Sequence, residues 1–69
     1  MSPNSLLSLA ITYHISRDLK KERPVILKLL KITPENPQVL RLGVQVAGIL
    51  KDKKMTNQVL TLMAVSYTH

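Results

Sequence analysis

The side chains of this chain that could do chemistry are few: four acids, two histidines and ten cations, with no cysteine. Asp18 and Glu22 are four residues apart, a spacing that places two carboxylates on one face of a helix. Paired carboxylates can act as general acid and general base. Basic residues surround both acids throughout positions 17–23, so we interpret this group as a solvated cluster of ion pairs.

The remaining inventory does not complete an active site. His14 is the one internal histidine and His69 is the terminal residue, so neither has a second ligand at metal-binding spacing, and we expect His14 to be a partly exposed helix residue. Gly43 and Gly48 are the only glycines, and both lie within a predicted helix, so there is no phosphate-binding loop. We therefore predict no catalytic residue, no metal ligand and no cofactor, and a protein that is not an enzyme.

The size and charge of the chain restrict it to one small domain, residues 1–69, with a net charge of +6 and 45% hydrophobic residues. The most apolar segment, Val39 to Leu50, contains Arg41 and Gln45 and is shorter than the roughly 20 residues that cross a bilayer. No basic residue precedes the first apolar stretch, as it would in a secretory signal. We predict no membrane span and a cytoplasmic location.

Apolar residues at helical spacing predict an all-α fold in which four short helices form two stacked antiparallel hairpins. Hairpin 1 covers about residues 3–32 and hairpin 2 about residues 36–65, and a tail follows at 66–69. We predict that the polar run at 16–23 is the turn of hairpin 1. Each helix should begin at a residue that favours helix starts, and these residues are Ser2, Pro24, Asn36 and Thr56.

The chain also matches itself at a period of about 33 residues, which indicates an internal repeat. Six pairs are identical in this alignment, and several further pairs are conservative. The identical pairs are Leu7 with Leu40, Leu9 with Leu42, Lys20 with Lys53, Lys21 with Lys54, Leu27 with Leu60, and Leu29 with Leu62.

The repeat resembles the tetratricopeptide-like superfamily of helical hairpins. The resemblance is carried by a Leu-small pair followed three residues later by a larger residue, seen as Leu9-Ala10 with Tyr13 and as Leu42-Gly43 with Val46, and by the junction at 34–37. It implies helices that bind a partner helix or peptide in a groove, as small chaperones and adaptors of this superfamily do. Armadillo or HEAT repeats and an unrelated four-helix bundle stay open as alternatives.

Two surfaces are predicted to bind partners. The third helix is apolar on nearly all sides, so something must cover part of it, and the methionines Met55 and Met63 could add adaptable contacts. The predicted apolar surface consists of Leu9, Tyr13, Leu40, Leu42, Val44 and Val46. If the hairpins stack in register, the cations of both turns meet at one side of the molecule, here called the basic edge: Arg17, Lys20, Lys21, Arg23, Lys51, Lys53 and Lys54.

These surfaces favour a non-catalytic protein–protein interaction module: an adaptor, a small chaperone or a self-associating helical-repeat domain. Its partner would be another protein or a second copy, in a heterocomplex or a homo-oligomer. The alternative is a basic nucleic-acid-associated protein or regulator that binds phosphates through its Lys/Arg-rich turns. No aromatic residues are interleaved with the cations to stack on bases, which disfavours this alternative.

Overall fold

A computed structural model describes residues 2–67, and the side chains of residues 2–65, as four α-helices without a strand. The helices are α1 (Pro3–Ile15), α2 (Leu19–Ile32), α3 (Pro37–Leu50) and α4 (Lys53–Tyr67). The main contacts are between α1 and α2, α2 and α3, and α3 and α4. The result is a flat molecule with extents of 33 × 28 × 15 Å, and the predicted all-α class is confirmed.

The two helices that open the hairpins begin where the sequence predicts. The Ser2 hydroxyl accepts a hydrogen bond from the Ser5 backbone N–H at 3.3 Å, and the Asn36 side-chain oxygen accepts one from the Gln38 N–H at 3.0 Å. A proline follows each cap, where its missing N–H removes a donor that would have no partner in the helix. These two starts are determined locally.

The second helix begins at Leu19, and the prediction that Pro24 opens it is wrong. The Asp18 carbonyl accepts a hydrogen bond from the Glu22 N–H at 3.0 Å, which starts the helix. Pro24 lies inside α2, where it cannot donate to the carbonyl of Lys20. Both residues are exposed, so water can replace that bond. The turn therefore shortens to residues 16–18, and the carboxylate of Glu22 is carried by a helix.

The fourth helix also begins earlier than predicted. The Asp52 carboxylate accepts a hydrogen bond from the Met55 N–H at 3.1 Å, and the Asp52 carbonyl accepts one from the Thr56 N–H at 3.0 Å. Asp52 is thus the cap in place of Thr56, whose hydroxyl donates to the Asp52 carbonyl. The helix continues through Tyr67, two residues into the predicted tail, and residues 68–69 lie outside the described part.

The core forms where α2, α3 and α4 meet around Gly43. A Cβ atom at this position would lie 2.9 Å from Cγ2 of Val59 and 3.5 Å from Cγ2 of Ile26, so only glycine lets α4 approach α3 this closely. The buried apolar side chains come from all four helices: Leu6, Ala10, Ile26, Leu29, Leu30, Val39, Leu40, Leu42, Val46, Ala47, Met55 and Val59.

The helix starts and the buried residues of the two hairpins repeat at different periods. The helix starts at Pro3 and Pro37 are one position further apart than the matching pairs of the sequence repeat. Buried residues instead recur at the period of the sequence repeat, and they include Ala10 with Gly43, Ile26 with Val59, and Glu22 with Met55. A shift of one residue turns a helix face by about 100°. The helices of hairpin 2 therefore start at positions equivalent to those of hairpin 1. Counted from its first residue, however, each helix of hairpin 2 turns a different face towards the core than its counterpart does.

Candidate functional site

An open apolar groove runs between α3 and α4 on the surface of hairpin 2. Its floor is formed by Leu40 and Val44, one turn apart on α3, and by Met63 of α4. Leu40 is almost fully buried, whereas Val44 and Met63 are half-buried. The volume of the groove is about 440 Å³, and its polar rim consists of Glu35, Arg41 and Gln45, next to Pro37. We call this the α3/α4 groove.

The structure divides the predicted apolar surface. Leu42 and Val46 lie in the core, with Val46 fully buried, and neither of them lines the α3/α4 groove, so the groove does not use these two predicted residues. The reason is that α3 packs between α2 and α4, which cover most of its apolar circumference. Leu40 and Val44 line the groove together with Met63.

Hairpin 1 contributes no residue to this groove. Leu9 and Tyr13 are half-buried on α1, away from the lining of the α3/α4 groove, so the predicted site shared by the first and third helices is not assembled there. The sequence predicts an adaptable contact from both Met55 and Met63. Met55 is instead part of the core, and the groove uses Met63.

One ion pair links α2 to the turn of hairpin 2, among residues of the predicted basic edge. The Nε atom of Arg23, on α2, donates a hydrogen bond to Oδ2 of Asp52 at 2.7 Å, across the boundary between the hairpins. The N–H of Met55 and, next, this guanidinium hold the pKa of Asp52 below its usual range, although burial opposes the shift. Asp52 therefore stays ionised and ties α2 to the start of α4.

Most cations of the basic edge have no acidic partner within ion-pair distance among residues 2–65. Lys21 lies 3.6 Å from Asp18 in an exposed pair, and Arg23 is engaged by Asp52. The other five cations are exposed and form no such pair: Arg17, Lys20, Lys51, Lys53 and Lys54. These five cations are therefore not neutralised by an ion pair within the described side chains.

Glu22 contradicts the interpretation of the acids as a solvated cluster. Its side chain is fully buried between α1 and α2, and Nδ1 of His14 lies 3.2 Å from each of its carboxylate oxygens. Oε2 has no hydrogen bond of its own. Burial raises the pKa of Glu22, and the hydrogen bond and charge of the His14 ring oppose that shift.

The chemistry open to this pair is restricted by its burial. The side chain of His14 is 31% exposed, as expected for a partly exposed helix residue, whereas Glu22 has no exposed surface. Neither residue lines the α3/α4 groove. Sequence reasoning missed the burial of Glu22, and its signal was the alignment of Glu22 with Met55, an apolar residue, in the sequence repeat.

Among residues 2–67, no group of three or more His, Cys, Asp or Glu residues could hold a metal ion. None of the four helices, over the same residues, combines the length and the hydropathy needed to cross a bilayer.

Comparisons with protein-family models, with curated proteins and with solved structures each gave no match to this chain.

Proposed function

We propose that this chain is a non-catalytic protein–protein interaction module that binds a partner through the α3/α4 groove. The observation that supports this proposal is the apolar lining of the groove, where Val44 and Met63 stay partly exposed and the core residue Leu40 lies beside them. Leu60, one helical turn before Met63 on α4, is half exposed and extends this apolar surface. A volume of about 440 Å³ can accept several side chains of a partner.

The form of the groove favours a helical partner segment. Two neighbouring antiparallel helices form its walls, and such a groove accepts apolar side chains that recur every three or four residues along an amphipathic helix. An adaptor or a small chaperone would use a groove of this kind to hold a segment of another protein.

The charge of the molecule favours a different protein over a second copy as the partner. The net charge is +6, so two copies repel each other as they approach. We therefore expect a monomer when molar mass is measured by light scattering after size-exclusion chromatography at low and high salt. A dimer that persists at both salt concentrations would instead assign the groove to self-association.

The proposal is tested with a library of amphipathic helical peptides selected for binding to the wild-type chain. Peptides bound in the groove should shift the NMR signals of Val44 and Met63, and Val44→Asp should weaken binding at least about tenfold, since it places a charge in an apolar contact. Ile32→Asp is the matched control, because Ile32 is a partly exposed apolar residue of α2 outside the groove. Peptides that bind both variants equally, or shift other signals, would contradict the proposal.

A second candidate function rests on the contact between Arg23 and Asp52. This contact joins α2, which carries Lys20 and Lys21, to the residue between Lys51 and Lys53, and in this candidate function these lysines bind the phosphates of a nucleic acid. Duplex DNA and RNA probes would then bind with an affinity that falls steeply with salt, and replacing Lys51, Lys53 and Lys54 by Gln would reduce that slope. Salt-tolerant peptide binding without nucleic-acid binding would exclude this candidate.

A further inference from the structure

A second surface depression lies at the other end of the seam between α3 and α4. It has a volume of about 360 Å³ and is lined by residues from the end of α3, the turn and the start of α4: Ala47, Gly48, Lys51, Lys53, Thr56 and Asn57. Small residues form its floor, and basic and polar residues form its rim.

The two depressions belong to one continuous seam. On α3 they are lined by Leu40, Val44 and Gly48, which are four residues apart and share one helix face, and this row leads to Lys51. The antiparallel helix α4 supplies Met63 beside the first depression, and Lys53, Thr56 and Asn57 beside the second. From Leu40 to Lys51 the seam is about 17 Å long, which is the length of about three turns of a bound helix.

The charges along this seam are uneven. At the apolar end, the rim carries Glu35 and Arg41, one charge of each sign. At the other end, both charged residues are lysines, Lys51 and Lys53, and neither has an acidic partner within ion-pair distance among residues 2–65. Asp52 lies between them in sequence but is engaged by Arg23. The complement of this end is therefore an anionic group.

Gly48 leaves the middle of this seam open. A Cβ atom at Gly48 would meet nothing within 4 Å, and the residue has no positive φ angle, so neither packing nor backbone conformation within the chain requires a glycine. A glycine inside a helix nevertheless destabilises it relative to alanine. Because Gly48 has no side chain, the backbone of α3 is open to contact at the middle of the seam.

From these features we infer that the partner segment is an amphipathic helix with an acidic end. Its apolar side chains lie over Leu40, Val44 and Met63, its backbone crosses α3 at Gly48, and its acidic end pairs with Lys51 and Lys53. This inference rests on the proposed function, since it assigns a charge pattern and an orientation to the occupant of the same groove.

The test uses three synthetic helical peptides that share their apolar residues and carry three Glu, three Gln or three Lys at one end. Each is made with the variable residues at the amino end and at the carboxyl end, and the tighter of the two is compared. We expect the Glu peptide to bind the wild-type chain about three- to tenfold more tightly than the Gln peptide, as two exposed ion pairs would give. The Lys peptide should bind most weakly.

Two sets of variants locate the effect. The double variant Lys51→Gln/Lys53→Gln should remove the advantage of the Glu peptide, whereas Lys28→Gln/Lys31→Gln, which makes the same charge change on exposed lysines of α2, should keep it. Gly48→Leu should weaken all three peptides at least about tenfold by filling the seam. The midpoint temperature of its thermal unfolding should be no lower than that of the wild type, because position 48 is open.

The outcomes separate this inference from the proposed function. If the Glu and Gln peptides bind equally well and shift the signals of Val44 and Met63, the acidic end is refuted while groove binding stands. If no peptide shifts those signals, both proposals are refuted. If a DNA duplex displaces the Glu peptide from Lys51 and Lys53 and binds more tightly, these lysines belong to a nucleic-acid site, and the inference is again overturned.

Discussion

The two hairpins differ most at one equivalent buried position. Hairpin 1 has Glu22 where hairpin 2 has Met55, its counterpart in the sequence repeat, and the two side chains are 0% and 1% exposed. In hairpin 1 the carboxylate faces the ring of His14 at 3.2 Å, whereas in hairpin 2 the position equivalent to His14 is Ala47, a small core residue. One hairpin thus closes on a polar pair and the other on apolar packing.

From this difference we infer that the buried position of Glu22 and Met55 tolerates a carboxylate only beside a hydrogen-bonding partner. Even with His14, Oε2 of Glu22 is left without a hydrogen bond, and an unsatisfied buried oxygen costs about 1–3 kcal/mol. Such a cost is large for a chain of 69 residues, which buries a small core. We therefore expect the packing of α1 on α2 to be the weaker of the two hairpins.

The largest effect is expected when hairpin 2 is given the acid of hairpin 1. Met55→Glu buries a charge in the hairpin that has Ala47 in place of His14, and we expect the free energy of unfolding to fall by about 3 kcal/mol or more. Urea unfolding followed by circular dichroism measures this change. Met55→Leu is the control and should cost less than about 1.5 kcal/mol. Equal stability of the Glu and Leu variants would mean that position 55 is not buried.

The reverse exchange should stabilise the protein. Glu22→Met replaces the buried polar pair by an apolar side chain, and we expect a gain of about 1–3 kcal/mol at neutral pH. His14 is partly exposed, so its ring can bond to water instead. Glu22→Ala leaves a cavity and should not show this gain. If Glu22→Met destabilised the chain, the ion pair with His14 would be worth more than its burial costs.

The glycines of hairpin 2 give a smaller test. Ala10 of hairpin 1 is the counterpart of Gly43 in the sequence repeat, but Gly43→Ala should cost about 1 kcal/mol, because its Cβ atom would lie 2.9 Å from Val59. Gly48→Ala should instead stabilise the chain by about 0.5–1 kcal/mol, since its Cβ atom meets nothing within 4 Å. Thermal unfolding of both variants measures the contrast, and changes of the same sign would contradict it.

The smallest effect is the pH dependence of stability. Since the pKa of Glu22 lies above its ordinary 4.5 in the folded chain, the folded state binds more protons than the unfolded state at pH values just above 4.5. The contribution of Glu22 to the free energy of unfolding therefore falls as the pH rises through the raised pKa. Urea midpoints measured between pH 3 and pH 8 should show this slope in the wild type and not in Glu22→Met.

Asp52 contributes in the opposite direction. Its pKa is held below 3.8 in the folded chain, so the stability that it supplies is present above that pH and is lost as the pH falls through the lowered pKa. Asp52→Asn should make the acid side of the profile shallower and leave the slope above pH 4.5 unchanged. An unchanged acid side would show that the contacts of Asp52 with Met55 and Arg23 do not contribute to folding.

The candidate site was predicted from the sequence only in part. Leu40 and Val44 follow from the apolar pattern of the third helix, and both line the groove. Leu42 and Val46 belong to the same pattern but lie in the core, because periodicity identifies an apolar face without saying which helix will cover it. Met63 becomes a groove residue because α4 packs back along α3 and brings this side chain beside Leu40 and Val44.

What the sequence determined by itself is local. The helical class, the caps at Ser2 and Asn36 and the break between the hairpins depend on side chains a few residues apart, and their interactions are the same in any fold that contains these helices.

The tertiary structure decided the burial of Glu22 against His14, the contact between Arg23 and Asp52, and the face of α3 that remains open. Each of these depends on how α1 to α4 pack, because burial and long-range ion pairs exist only once separate segments meet. A helix pattern alone does not contain that information.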